Sequence, residues 1–198
     1  MIKAMTASED DVLKASLRRR LRALRQGLDG ASAASALAEQ VVTLPVMPTK
    51  AHTVAFYMPM GAELDPRPLV ARIAAEGATL ALPVTVARGQ ALIFRTWREG
   101  DGLAPDALGM AAPLDTAPPV HPDIILTPLV GFDRFGRRLG QGGGFYDRTL
   151  RELRALGSIL AIGLAFAEQE CDSLPEGPWD ESLDGVLTPK GYRKAIQT

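Results

Sequence analysis

Leucines at 13, 17, 21, 24 and 28 recur at spacings of four and three. That spacing predicts an amphipathic helix over 9–28 with one apolar face. Ser8, with Asp11 three positions on, marks its start, and Gly30 marks its end. An Ala-rich segment, 32–43, predicts a second helix that stops before Pro45. The run "HTVAFYMP" (52–59) reads as a short strand closed by Pro59 and Gly61. Asp65-Pro66 opens a helix over 66–76, and Gly77 stops it. "ATLALP" (78–83) and "ALIFRTW" (91–97) are the next strands, with Arg88-Gly89 in the turn between. Residues 99–122, rich in Pro, Gly and Asp, read as a long connection. "DIILTPLV" (123–130) is a strongly apolar strand, a helix is predicted over 145–156, and "SILAIGLAF" (158–166) and "GVLT" (185–188) are the last strands.

Continuously apolar strands alternating with helices imply an α/β fold, its mostly parallel sheet covered on both faces. Such sheets bind ligands at the carboxyl ends of their strands. Directly after the strand at 123–130 comes "GFDRFGRRLGQGGGFYDR", residues 131–148, which holds six of the chain's 19 glycines. The glycine stretch therefore falls at the expected binding edge.

Gly140, Gly142, Gly143 and Gly144 can take positive φ at no steric cost, and successive amides in such a loop can converge on an anion. A helix beginning near Phe145 adds its free N–H groups. Arg137 and Arg138 stand just before the loop, and a guanidinium forks onto phosphate oxygens. The pattern reads as a polyphosphate cradle, with a flexible surface loop as the alternative. It is neither a P-loop, since no Lys-Ser or Lys-Thr follows, nor a dinucleotide fingerprint, since Phe145 stands where a third glycine is needed. Asp147 is either a favourable partner for the helix dipole or a ligand for Mg²⁺, which takes one or two carboxylates plus phosphate oxygens and water.

Lys14, Arg18, Arg22 and Arg25 follow the leucine stripe one position later and form a cationic ridge. A solvated, salt-bridged face accounts for Arg19, Arg20 and Arg22. Lys14 and Arg18 lie one turn apart, so both can reach one phosphate group.

Composition narrows the classes. The 198 residues suit a single domain spanning 1–198. A net charge of −1 offers no global attraction to nucleic acid or an anionic membrane. No apolar run approaches the ~18–20 residues that span a bilayer, and the N-terminus lacks the apolar core of a secretory signal. Cys171 is the single cysteine, so no internal disulfide forms; with only His52 and His121 beside it, a zinc site or cysteine catalysis is not expected. A cytoplasmic protein is expected. Two other readings stand: a nucleic-acid-binding regulator using the five arginines between Arg18 and Arg25, and a fold relative acting on another substrate, such as a sugar-phosphate isomerase.

"PLVGFDRFGRRLGQGGGFYDRTL" closely resembles the signature of the 5-formyltetrahydrofolate cyclo-ligase family. "KASLR" (14–18), "FYMPMGAELD" (56–65), "LPV" (82–84), "IGLAFAEQ" (162–169) and "LDGVLTPKG" (183–191) resemble further family segments, in family order over nearly the whole chain. The resemblance implies a three-layer fold of the NagB/RpiA/CoA transferase-like class and a monomer. It implies a reaction of ATP with 5-formyltetrahydrofolate, dependent on Mg²⁺ (magnesium), that yields 5,10-methenyltetrahydrofolate, ADP and phosphate. Nucleic acid and membrane are not among the implied partners. Lys14, Arg138 and Asp147 are the implied catalytic residues. Lys14, Arg18, Arg138, Leu139, Gly140, Gln141, Gly142, Gly143, Gly144, Phe145 and Tyr146 are implied to bind ATP. Tyr57, Glu63, Gln141, Gly142, Gly143, Gly144 and Phe145 are implied to bind the folate, and Asp147 and Asp184 the metal. Three positions depart from the family: Phe145 replaces a usual Tyr, Trp179-Asp180 stands where many members have His-Asp, and Pro189 follows Thr188 where an acid is common.

Overall fold

A computed structural model of the protein describes residues 9–196. The chain runs α1 (Glu9–Gln26), α2 (Gly30–Glu39), a 3₁₀ turn (Gln40–Thr43), β1 (Thr53–Ala55), α3 (Arg67–Ala75), β2 (Thr79–Thr85), β3 (Leu92–Thr96), β4 (Leu103–Pro105), β5 (Ala111–Pro113) and β6 (Pro119–Val120). It continues through β7 (Ile124–Pro128), β8 (Gly131–Phe132), β9 (Arg138–Leu139), α4 (Phe145–Leu156), β10 (Leu160–Leu164), a second 3₁₀ turn (Ala167–Gln169), β11 (Gly185–Thr188) and β12 (Gly191–Lys194).

Eight strands form the central sheet, in the order β12-β11-β10-β7-β1-β2-β3-β6. The five from β11 to β2 are mutually parallel; β12 and β3 flank them antiparallel, and β6 pairs antiparallel with β3. Alternation along each strand sorts its side chains between two cores. On one face Val54, Phe56, Leu82, Leu126, Ile162 and Leu187 meet Leu37 of α2 and Leu69 and Ile73 of α3. On the other, Ala55, Ala81, Ile125, Ala161 and Val186 meet Leu150 and Leu153 of α4. Ala81, Ala55, Ile125 and Ala161 are register partners across four neighbouring strands. Three small side chains in that row leave room for α4 to lie close. The result is the three-layer, mostly parallel α/β architecture that the sequence implied.

Three local expectations are corrected. The segment at 99–122 is not plain connection: β4 and β5 pair antiparallel, and β6 joins the sheet edge. These strands are short and largely exposed, so they carry no apolar alternation. Their tie to the sheet is Asp106, which accepts N–H bonds from Leu108 and Met110 on one oxygen and from Thr85 of β2 on the other. Gly30 does not end α1 but begins α2, whose cap is Asp29 accepting from Ser32 N at 3.1 Å. Ser8, the expected cap of α1, lies outside the described residues.

The third correction concerns α1. Leu21 is buried with Val130, Leu139 and Leu174, and Leu17 packs beside them. Leu13 and Leu24, however, are 49% and 40% exposed. The packed stripe is Lys14, Leu17, Arg18, Leu21, Arg25 and Leu28. The helix is turned so that three of the four residues of its cationic ridge, Lys14, Arg18 and Arg25, face inward, because it lies against a loop that presents oxygen atoms rather than against an apolar sheet. Among the described residues, no helix is long and apolar enough to cross a membrane.

Candidate functional site

The glycine stretch falls into two parts. Its first half is a hairpin, β8 against β9, with register pairs Gly131–Leu139 and Phe132–Arg138. The turn is held by buried Asp133, whose Oδ1 accepts from Phe135 N and Arg137 N and whose Oδ2 accepts from Leu174 N. Gly136 takes φ 79° in this turn. Strand alternation separates the two arginines. Arg137 points to the surface and bonds Glu176 at 2.8 Å. Arg138 points inward, only 4% exposed, and donates to Asp147 Oδ1 at 2.6 Å and to the Glu181 carbonyl. Burial lowers the pKa of the Arg138 guanidinium, and the Asp147 and Asp180 carboxylates oppose that shift.

The second half, 140–144, is the loop that opens α4. Gly142 (φ 102°) and Gly144 (φ 64°) need the left-handed region; Gly140 and Gly143 do not. Gly144 is the cap residue of α4, and no side chain caps the helix. Its first amides are therefore left to whatever anion arrives. On this side α1 supplies the cations. Arg18 Nε donates to Gly140 O at 2.9 Å, and Lys14 Nζ lies 2.5 Å from Asp180 Oδ2. Arg22, expected to be merely solvated, donates to Gln141 Oε1 from both Nε and Nη2.

On the other side of the loop sits Glu63, after β1. Gln141 Nε2 donates to its Oε1 at 2.9 Å, and Met60 N to its Oε2 at 3.1 Å. Arg25 Nη1 stands 3.9 Å from Oε1. Tyr57 is buried and spends its hydroxyl on Leu64 O at 2.7 Å. Burial, with Glu63 nearby, pushes the Tyr57 and Tyr146 phenols up, so both stay neutral. Phe145 packs against the α4 core with Tyr146, and Arg148 lies over its ring. Leu139 is a core residue; its carbonyl accepts from Val130 N. Cys171 is half-buried, and burial raises its thiol above the usual value, as an inert cysteine requires.

The expected pair Asp147 and Asp184 is not brought together. Asp147 stands in the first turn of α4. Asp184 stands before β11, where its Oδ2 accepts from Ala161 N at 2.7 Å and from Arg154, in the last turn of α4. From Asp147 to Arg154 is roughly 10 Å along the helix axis. Asp180, like Asp147, acts on the buried Arg138 guanidinium. Its neighbour Glu181 donates its N–H to Asp147 Oδ1 at 3.1 Å, and Arg151 binds Trp179 O and Glu181, lacing this segment to α4. The Asp180 carboxylate takes both its bonds, from Lys14 and Gly177 N, on Oδ2; Asp147 takes both of its own on Oδ1. Each acid thus keeps one oxygen for a cation, which fits a magnesium ion held by two carboxylates and completed by phosphate oxygens and water. Sequence reading passed over Asp180, although it lies within the departing Trp179-Asp180 pair.

A cleft of about 920 Å³ lies between α3, the amino end of β2 and residues 96–118, and no residue of the glycine stretch lines it. The chemistry-bearing side chains gather instead at the carboxyl edge of β7 and β10.

Comparison with known proteins shows the family. The model of the 5-formyltetrahydrofolate cyclo-ligase family matches residues 7–189. The chain is similar to the 5-formyltetrahydrofolate cyclo-ligase of Escherichia coli, 35% identical over 158 residues that cover 77% of this chain and 85% of the relative. It is 30% identical to that of Haemophilus influenzae over 174 residues, 85% of this chain and 92% of the other. The solved structure of Aquifex aeolicus 5,10-methenyltetrahydrofolate synthetase superposes with a TM-score of 0.75 at 28% identity, covering 94% of each chain.

Proposed function

The chain belongs to the 5-formyltetrahydrofolate cyclo-ligase family, and from that premise we propose that it converts 5-formyltetrahydrofolate and ATP to 5,10-methenyltetrahydrofolate, ADP and phosphate. The observation that carries the reading is the set of cations about the uncapped start of α4: Arg18 on Gly140 O of the loop, Arg138 on Asp147 of the first turn, and Lys14 on Asp180.

The chemistry needs ATP because an amide-like formyl oxygen is a poor leaving group. The formyl oxygen takes the γ-phosphoryl group, forming an O–P bond as the bond to ADP breaks. N10 then attacks the activated carbon, forms the C–N10 bond and gives up its proton. The C–O bond breaks and inorganic phosphate departs. Such steps ask mainly for positioning and charge neutralisation. Lys14, Arg18 and Arg138 supply positive charge around the transferring group, and the amides of Gly142 to Tyr146 hold phosphate oxygens. Glu63 accepts the amino and ring N–H groups of the pterin, and Tyr57 and Phe145 wall the folate. Asp147 and Asp180 would hold magnesium, which would supply neutralising charge to the phosphates.

The test is spectroscopic. Methenyltetrahydrofolate absorbs in the near ultraviolet, and its band must grow only when protein, ATP, Mg²⁺ and 5-formyltetrahydrofolate are all present. No change in absorbance at high protein concentration sinks the proposal.

A further inference from the structure

Gln141 is held at both ends of its amide, by Arg22 at Oε1 and by Glu63 at Nε2. The two Arg22 donors fix which end is oxygen, so the N–H must face Glu63. Gln141 therefore occupies one of the lone-pair sites of Glu63 Oε1, next to those that a pterin N–H can use.

Behind Glu63 lies Arg25. Both side chains are under a tenth exposed, 8% and 5%. Arg25 reaches Leu129 O only at 3.5 Å, and its Nε has no hydrogen-bond partner among the described residues. A buried guanidinium so poorly bonded costs stability unless its charge is used. Its charged neighbour is Glu63, and the field of the pair extends to the Tyr57 hydroxyl. Little solvent stands between them to screen it.

We propose that Arg25 is a positioning residue for the folate site: its buried charge holds the Glu63 carboxylate in place and directed at the pterin. The proposal rests on Glu63 being the pterin acceptor. It assigns Arg25 no contact with the substrate and no part in phosphate binding.

Steady-state kinetics and titration calorimetry on the full chain test it, with 5-formyltetrahydrofolate and a non-hydrolysable ATP analogue as separate probes. Arg25→Met must raise Kd and KM for the folate about tenfold or more, about 1.4 kcal/mol. Affinity for the ATP analogue and kcat stay near wild type. Arg25→Lys, which keeps the charge, restores most of the folate affinity. In a Glu63→Gln background, Arg25→Met must add little, since the two act as one unit. Arg25→Gln keeps a polar amide donor without charge, and carries the same test should the Met variant melt at assay temperature. Equal loss of both ligands, or an equal loss in both backgrounds, overturns the proposal and leaves Arg25 a purely structural residue. If the wild type binds folate and the Arg25 variants match it, the proposal alone falls. If Glu63→Gln binds as tightly as the wild type, the reading beneath it falls as well.

Discussion

Arg138 Nη2 donates to Asp147 Oδ1 at 2.6 Å, joining the end of β9 to the first turn of α4. The bond ties the arginine proposed to approach phosphate to the acid proposed to hold the metal. With Arg138 almost wholly buried, the two must be disturbed together. Asp147→Ala is expected to lower turnover on the order of 100-fold, the scale for losing one charge-stabilising contact. It also leaves a buried guanidinium unpaired, so stability should fall by about 3 kcal/mol. Asp147→Asn keeps an acceptor for Arg138 and should recover stability without recovering turnover. Urea denaturation and the absorbance assay, run on both variants, separate the two effects.

Asp180 and Asp184 give opposite expectations. Asp180→Asn removes a carboxylate beside Lys14 and should lower turnover steeply while raising the Mg²⁺ concentration needed for half-maximal rate. Asp184→Asn weakens a bond to Ala161 N near the far end of α4. It should cost about 1 kcal/mol of stability and leave kcat near wild type. A Mg²⁺ titration of both variants decides which acid belongs to the metal.

The glycines are not equivalent. A Cβ on Gly140 meets nothing within 4 Å, so Gly140→Ala should fold as the wild type does. Gly144 sits at φ 64°, where an L side chain costs roughly 1–2 kcal/mol, and its Cβ would also press on Arg148. Gly136 combines φ 79° with a Cβ position 2.4 Å from the Leu183 carbonyl oxygen, a backbone atom with little room to move. Thermal melts should rank Gly140→Ala, Gly144→Ala and Gly136→Ala in order of increasing damage. If Gly140→Ala loses turnover at full stability, the loss reports a ligand lying against the loop.

Acid should loosen the β4–β5 hairpin. Burial pushes the Asp106 carboxyl up, but bonds from Met110, Thr85 and Leu108 N–H outweigh it and hold the group below its usual value. A depressed folded pKa gives stability that is present above the unfolded value, about 3.9, and is lost as pH falls through the folded one. Asp106→Asn should therefore be less stable than wild type at pH 7, with the gap closing below about pH 4. Urea midpoints at pH 7 and pH 3 check the sign.

Much of this protein was legible in its sequence because helices and buried strands write their own periodicity. The expected helix at 145–156 coincides with α4. The 32–43 segment appears as α2 and its 3₁₀ extension. The apolar runs at 78–83, 123–130, 158–166 and 185–188 all became sheet strands, and the glycine stretch stands at the edge where their order places it. β12 was missed: it is an edge strand, half-exposed, and shows no apolar run.

Only the tertiary structure decided which way α1 turns, because leucines and arginines share its faces at nearly the same angles. Its rotation is set by oxygen atoms far along the chain: Gly140 O, Gln141 and Asp180. The same holds for Arg137 against Arg138 and for Asp184 against Asp180. Each pair is close in sequence and alike in charge, and differs only in which partner packing brings within hydrogen-bonding range. Local periodicity determines elements. Partners as far as 166 residues apart follow from how those elements pack.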